Sequence, residues 1–194
     1  MRKMTHIALA TMLVAFMVMG IASAQASSPT EMLKARDITL QKLAGVQSEE
    51  NDAKVRQAIV ESFDFHEHSR ISLGKHWKKR STAEQEDFVS VMRDWTQNRA
   101  VKKLLKRSEQ TIYEDEELIG SSKALVKTVV KYKGTRTYVE YKMKLSDGNW
   151  RIYDMIIDGA SVALANRNAF YKKIKKTSYQ DLVSTLREKT LETD

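Results

Sequence analysis

The chain contains no cysteine, so it forms no disulfide and offers no cysteine for lipid attachment or nucleophilic catalysis. Its fold must therefore be held by an apolar core. Proline occurs only once, at Pro29, and no glycine-rich loop suited to cradling phosphate is present. Because neither a repeat nor a low-complexity linker divides the sequence, we expect residues 27–194 to form a single domain.

The first 26 residues have the pattern of an export signal. Arg2 and Lys3 precede a nearly unbroken apolar run over residues 7–21, and small residues follow. This order is typical of a cleaved secretory signal, and the run is shorter than the roughly 20 residues that span a bilayer. We therefore expect a signal peptide over residues 1–24, with cleavage after Ala26 or an uncleaved membrane anchor as the alternatives.

The basic charge of the chain indicates an acidic partner. The formal net charge is +8, and removing Arg2 and Lys3 with the signal leaves +6. In a cytosolic protein this balance favours nucleic acid, whereas an exported protein meets anionic lipid headgroups or acidic proteins. Solubility alone is the simpler interpretation of the charge, and no nucleic-acid partner is expected.

Apolar spacing predicts helices at both ends of the chain. Ser28-Pro29-Thr30-Glu31 favours a helix start, Gly45 ends that helix, and a second carries Val55, Ile59 and Phe63 on one stripe. Ser81 and Glu84 form a capping box that opens a long helix over residues 82–107, basic at its end. Two closing helices are predicted over residues 160–175 and 178–191.

Between these helices the apolar period changes to two. Residues 110–158 are rich in Val, Ile, Thr and Tyr, with turns at residues 120–121, 133–134 and 147–149, which predicts four antiparallel strands. In the third strand, Thr137, Val139, Tyr141, Met143 and Leu145 share one face and charged residues share the other. Because helices and strands are segregated, we predict an α+β fold with helices packed on one face of a four-stranded antiparallel sheet.

Histidine and serine candidates for chemistry are incomplete. Ser161 follows a predicted strand as a nucleophile does, but the second glycine of the motif and a downstream histidine are missing. His66 and His68 converge on a metal ion only if their segment is extended, and His76, Asp64 and Glu67 lie close enough in sequence to join them. We predict no catalytic residue, no metal site and no cofactor.

Charged clusters are equally ambiguous. Asp154 and Asp158 fall on one strand face, as paired carboxylates do, but Asp158 also fits a helix N-cap and Asp154 a structural hydrogen bond. The acidic run over residues 114–117 and the lysines over residues 172–176 suit solvated surfaces, or else docking to partners. The residues alone thus lead to an exported α+β domain without a visible catalyst.

Two stretches carry a more specific pattern. The first reads Phe63-Asp64-Phe65, then Arg70, Leu73-Gly74, Trp77, Gln85 and Phe88. The second reads Trp150-Arg151-Ile152-Tyr153-Asp154, then Ile157, Gly159, Ser161, Arg167 and Phe170, with Tyr179, Leu182, Leu186 and Arg187 behind it. In order and spacing, over about residues 30–190, the chain resembles the MlaC, or toluene-tolerance, family of periplasmic phospholipid-binding proteins.

The resemblance implies a periplasmic phospholipid-binding domain that is not an enzyme. It also implies partners, namely an outer-membrane lipoprotein–porin complex and an inner-membrane ABC transporter with a lipid-binding hexameric domain. Two acyl tails expose roughly 30 methylenes, and at about 0.8 kcal/mol each a carrier must enclose them between helices and sheet. The N- and C-terminal helices are therefore expected to enclose an apolar pocket.

Large apolar side chains are the candidates for contact with the lipid tails. They are Phe88, Met92, Trp95, Val139, Tyr141, Met143, Tyr153, Ile157 and Val162. Two other functions stay open: an enzyme on a similar scaffold using Asp154 or His76, and an adaptor that binds proteins through the acidic run at Glu114 or the lysines at Lys172.

Overall fold

The computed structural model describes residues 27–44, 48–104 and 110–191. The expected signal peptide over residues 1–24, the helix break at Gly45 and the basic helix end at Lys106 and Arg107 lie outside these ranges. Within the described ranges, no helix combines the length and the apolar character needed to cross a bilayer.

In the described part of the chain, six α-helices and one 3-10 helix precede and follow the sheet in sequence. They are α1 (Pro29–Leu43), α2 (Glu49–Ser62), α3 (Phe65–Leu73), the 3-10 helix η1 (Gly74–Lys79), α4 (Thr82–Leu104), α5 (Val162–Lys176) and α6 (Tyr179–Leu191). Ser28 caps α1 through a reciprocal pair of bonds with Glu31, and Ser81 and Glu84 form the same capping box before α4. The predicted helix starts are thus confirmed where a cap specifies them.

Helix α3 was not expected from the sequence. The Asp64 side chain accepts a hydrogen bond from the Glu67 amide at 2.9 Å and so caps its first turn. Ser69 and Ser72 are fully buried on this helix, so its inner face is partly polar. A search for apolar spacing therefore misses the helix.

The sheet is an antiparallel meander in the order β1–β2–β3–β4–β5. Its strands are β1 (Gln110–Ile119), β2 (Lys123–Tyr132), β3 (Thr135–Ser146), β4 (Asn149–Ile157) and β5 (Ala160–Ser161). The sequence predicted four strands; the fifth is a two-residue strand that pairs with the end of β4, and it delays the start of α5 to Val162. The α+β class is confirmed.

Side chains alternate across β3 as its pattern predicted. Val139, Tyr141 and Met143 are buried against helices, whereas Tyr138, directly before Val139, is 54% exposed. In β4 the register shifts between the partners of Lys142 and Met143, which leaves Tyr153 as an extra residue. This bulge separates the two halves of β4.

Two apolar clusters form the interior. The sheet cluster joins Leu33 of α1 and the Phe63–Phe65 segment to the inner faces of β2, β3 and β4. The helical cluster joins Leu73, Trp77, Phe88, Met92 and Phe170 with residues of α6. Val89 of α4 packs against both clusters, so the interior is continuous.

Candidate functional site

A cleft of about 630 Å³ lies between α1, the end of α4 and the inner face of the sheet. Its apolar and aromatic lining consists of Leu40, Ala44, Ala100, Val130, Tyr132, Val139, Tyr141, Met155 and Ile157. Its polar lining consists of Arg36, Asp37, Gln41, Thr111, Thr135, Thr137 and Asp158. The volume falls in the range of small-molecule sites, roughly 300–1,000 Å³.

Strand β3 forms the floor of this cleft. Thr135, Thr137, Val139 and Tyr141 all line it, because residues at every second position of a strand point to the same side. At about 3.3 Å per residue, this floor is roughly 20 Å long. Met155 and Ile157 of β4 lie opposite Tyr141 and Val139 in the register and widen the floor.

An ion pair on α1 lies at one end of the cleft. The Nε and Nη2 atoms of Arg36 donate to Oδ1 of Asp37 at 2.9 and 2.7 Å. The Tyr113 hydroxyl of β1 donates to Oδ2 of Asp37 at 2.7 Å. The guanidinium carbon of Arg36 lies 4.9 Å from the centroid of the Tyr141 ring, which is a cation–π contact.

The surroundings of this ion pair fix its protonation. Burial alone would lower the pKa of Arg36, but nearby Tyr141 and Asp37 outweigh burial and leave the pKa above its ordinary value. Burial, together with the hydrogen bond to Asp37, raises the pKa of the Tyr113 hydroxyl. Arg36 therefore keeps its charge and Tyr113 its proton, so the group ties α1 to the sheet rather than exchanging protons.

The nine predicted lipid-contact residues fall in different places. Val139, Tyr141 and Ile157 line the cleft, and Met143 is fully buried in the sheet cluster. Phe88 and Met92 belong to the helical cluster, and Trp95 packs against it. The remaining two, Tyr153 and Val162, are half-buried and do not line the cleft. Lipid contact by the set stays a prediction.

The walls of the cleft differ from those the sequence led us to expect. Helix α1 contributes Arg36, Asp37 and Leu40, whereas none of the described residues of α5 or α6 lines the cleft. Apolar spacing does not predict that α1 turns Arg36 and Asp37 toward the cleft. The apolar Ile38 is 53% exposed, whereas the charged side chains of Arg36 and Asp37 are largely buried. Only the contact of α1 with Tyr113 and Tyr141 identifies Arg36 and Asp37 as site residues.

The histidines have structural neighbours. His66 lies edge-on to Trp77 at 5.2 Å between ring centroids, and His76 edge-on to Tyr171 at 4.9 Å. Nδ1 of His68 donates to the Tyr153 carbonyl oxygen at 3.0 Å. Across the described ranges, no three side chains of the metal-ligating kinds come together.

Asp154 and Asp158 do not form a carboxylate pair for catalysis. Both oxygens of buried Asp154 are occupied, Oδ2 by the Ser161 hydroxyl at 2.7 Å and Oδ1 by the amides of Met155 and Ala163. The structural role foreseen for Asp154 is thus confirmed. The N-cap interpretation of Asp158 is wrong: Ser161 caps α5, and Asp158 instead accepts from the Tyr138 amide at 2.9 Å.

Comparison with known proteins gives a family and a fold. Residues 34–188 match the model of the family described as MlaC protein. The fold is similar to that of a phospholipid-binding protein from Ralstonia solanacearum solved in complex with a phospholipid. The TM-score is 0.73 at 19% identity, over 84% of this chain and 97% of that one. No curated protein matches the sequence significantly.

Proposed function

We propose, from the premise that this chain belongs to the MlaC protein family, that it is a carrier of phospholipid whose acyl chain lies in the cleft between α1 and the sheet. The observation that carries the proposal is the cleft itself, whose floor is apolar and aromatic at Val139, Tyr141, Met155 and Ile157. The fold it shares with a phospholipid-binding protein supports the same ligand class.

The dimensions of the cleft suit one acyl chain. The floor is roughly 20 Å long at about 3.3 Å per residue, and an acyl chain reaches half the ~30 Å hydrocarbon thickness of a bilayer. A methylene takes up on the order of 30 Å³, comparable with a water molecule's share of the liquid. At about 630 Å³, the cleft therefore holds one chain, and a second chain requires α1 to move away from the sheet.

In this proposal the protein works in the periplasm and exchanges lipid with both membranes. Its donor and acceptor are an outer-membrane lipoprotein–porin complex and an inner-membrane ABC transporter with a lipid-binding hexameric domain. The export pattern of residues 1–24 supports this location. The hydrophobic cost of moving two free tails through water, over about 20 kcal/mol at about 0.8 kcal/mol per methylene, explains why such a step needs a carrier.

The proposal is tested by purifying the full chain from the periplasm without detergent and recording its native mass. We expect a phospholipid adduct of one lipid per chain, identified after extraction. A chain that is lipid-free and does not take up lipid from vesicles would overturn the proposal and favour a protein-binding adaptor.

Variants that fill the cleft assign the lipid to this site. In the double variant Thr137→Trp/Ala100→Trp, indole rings project from the floor and from the end of α4, and we expect the adduct to fall severalfold. The matched control is Tyr138→Trp/Arg99→Trp, which changes a residue next to each of these positions in the sequence. Neither residue lines the cleft, so the adduct should persist. Equal adducts in both folded variants would place the lipid elsewhere.

A further inference from the structure

A polar hollow adjoins the apolar cleft at the β2–β3 hairpin. It has a volume of about 600 Å³ and shares Gln41 and Tyr132 with the cleft. The rest of its lining is Gln110, Lys131, Lys133, Gly134 and Arg136. Lys131 and Arg136 alternate with the cleft residues Val130 and Thr137, so they leave their strands on the opposite face of the sheet. Both nonetheless line the hollow, which meets the cleft at Gln41 and Tyr132 and so joins it to a basic, hydrogen-bonding surface.

The positive charge of this hollow has no counter-ion among the described residues that line it. Three cations, Lys131, Lys133 and Arg136, line it, and its lining includes no carboxylate. Among the residues that the structure describes, none of the three forms an ion pair; Lys133 lies over the Tyr132 ring at 5.4 Å. Asp158 lines the cleft but not the hollow, and it accepts a hydrogen bond from the Tyr138 amide.

The register of the β2–β3 hairpin places two of these cations opposite each other, which lowers the stability of the sheet. Lys131 lies directly opposite Arg136 in the β2–β3 ladder, and like charges at facing positions destabilise a sheet. In the same ladder, Lys123 faces Lys144, and Asp64 lies 4.0 Å from Lys144. No described carboxylate forms an ion pair with Lys131 or Arg136, so these two residues are suited to bind an anion from outside the chain.

The two ends of the cleft therefore differ in what they can accept. At the Tyr141 end, Arg36 and Asp37 pair with each other, Tyr113 donates a hydrogen bond to Asp37, and Arg36 lies over the Tyr141 ring. This ion pair therefore offers no free charge to a ligand. At the hairpin end the charges are free and mostly exposed. A lipid whose chain points toward Tyr141 places its headgroup at Lys131, Lys133 and Arg136.

We propose that this basic hollow is a headgroup subsite, and that it selects lipids of net negative charge, such as phosphatidylglycerol, over zwitterionic phosphatidylethanolamine. The inference rests on the proposed function, because it needs a lipid chain in the cleft. The group recognised is a phosphate ester without a compensating amine. Three cations that form no ion pair with a described residue favour that charge state over a headgroup whose ammonium cancels the charge of the phosphate.

The test is a competition for lipid. Lipid-free protein is mixed with vesicles holding equal amounts of phosphatidylglycerol and phosphatidylethanolamine, and the bound lipids are counted by native mass spectrometry. We expect wild type to prefer phosphatidylglycerol by roughly tenfold, the scale of three partly exposed charge contacts. In Lys131→Gln/Lys133→Gln/Arg136→Gln we expect the preference to vanish while total bound lipid is kept.

A matched control removes the same charge elsewhere. Lys172→Gln/Lys175→Gln/Lys176→Gln lowers the net charge equally on exposed positions of α5, and it should retain the wild-type preference. Lipid binding without selectivity in wild type, or an equal loss of selectivity in both triple variants, would overturn the subsite while leaving the carrier intact. Absence of any bound lipid would instead overturn the carrier.

A free anion is the remaining ligand that shares this chemistry. Inorganic phosphate is titrated into lipid-free wild type and the hairpin variant at constant ionic strength, since screening alone weakens exposed charge contacts. Phosphate that binds wild type but not the variant, together with an absence of headgroup selectivity, would assign the hollow to free phosphate and contradict the headgroup subsite.

Discussion

His68 is buried on α3 against β4, with its Nδ1–H directed at the Tyr153 carbonyl oxygen. Because that oxygen only accepts, Nδ1 carries the proton, and Nε2 is left to accept from the Asn166 amide at 3.4 Å. Burial lowers the pKa of His68, and the Tyr153 carbonyl and Asp154 oppose this without cancelling it. The folded protein therefore holds this ring neutral.

The stability of the protein should consequently depend on pH through His68. A histidine whose pKa falls on folding binds fewer protons in the native than in the unfolded chain. Its contribution is complete above the unfolded pKa of about 6.5 and is lost as the pH falls below that value. We expect the free energy of unfolding, measured with urea, to decline from neutral pH toward pH ~5.5, less steeply in His68→Gln.

His66→Gln is the control for this experiment, because it keeps His68 and should retain the decline. His76 adds to the decline in the same direction, since partial burial and the nearby Lys75, Lys79 and Arg80 lower its pKa. The slope in His68→Gln is therefore reduced rather than removed. An unchanged slope in that variant would contradict the assignment.

At the scale of elements, the junction of α3 and η1 depends on Gly74. Its φ of +48° and ψ of −121° lie outside the regions open to residues with a side chain. A Cβ there would stand 2.5 Å from the Tyr171 hydroxyl, which accepts a hydrogen bond from the Lys75 amide at 2.8 Å. The backbone of η1 and the ring on α5 thus meet where only glycine fits.

Gly74→Ala should lower the free energy of unfolding by about 3 kcal/mol, the upper end of the cost of a strained backbone position. Gly120→Ala separates backbone strain from steric clash, because its φ is +65° and nothing lies within 4 Å of the added Cβ. We expect a loss of about 1–2 kcal/mol there, the cost of a left-handed conformation. If both variants lose the same free energy of unfolding in urea, the Tyr171 hydroxyl moves away from the added Cβ at no cost in free energy.

Elements whose signals are local could be predicted from the sequence. The three turns of the meander contain Gly120, Gly134 and Gly148, and all three adopt positive φ, which is why the four long strands were found. The cap at Ser81 similarly located the start of α4. Helix α3 escaped because its local cap at Asp64 is followed by a partly polar inner face rather than by an apolar stripe. Strand β5 escaped because its two residues are specified only by their pairing with β4.

The site was less predictable than the elements. Alternation along β3 identified Val139 and Tyr141, since one face of a strand is set by the sequence itself. The opposite wall depends on how α1 lies across the sheet, and this packing is carried by the contacts of Arg36 with Tyr141 and of Asp37 with Tyr113. A charged pair in an amphipathic helix gives no sign in the sequence that it faces inward.

At the scale of the whole molecule, the sheet cluster and the helical cluster are expected to unfold together. Val89 contacts both clusters, and α3 packs on α5 and α4 as well as on β4. A continuous interior of this kind favours one cooperative transition. One such transition is what we expect of a single domain over residues 27–194.

Tryptophan fluorescence can test this, because Trp150 lies in the sheet cluster and Trp77 in the helical cluster. Trp95→Phe/Trp77→Phe leaves Trp150 as the reporter, and Trp95→Phe/Trp150→Phe leaves Trp77. In each variant the fluorescence and far-ultraviolet circular dichroism transitions in urea should coincide. A fluorescence midpoint that departs from the dichroism midpoint would show that the clusters unfold separately.

The acidic run of β1 has a consequence for self-association. β1 is an outer strand of the sheet, and an exposed strand edge invites pairing with a second molecule. Glu114 sits at an irregularity in the ladder, and Asp115, Glu116 and Glu117 are exposed beside it. A second copy docking there would bring two rows of carboxylates together. At the opposite edge, β5 covers the end of β4, and the segment Phe63-Asp64 covers β4 at Ile152 through a bridge and a hydrogen bond. Both edges of the sheet thus carry features that oppose stacking into ordered aggregates.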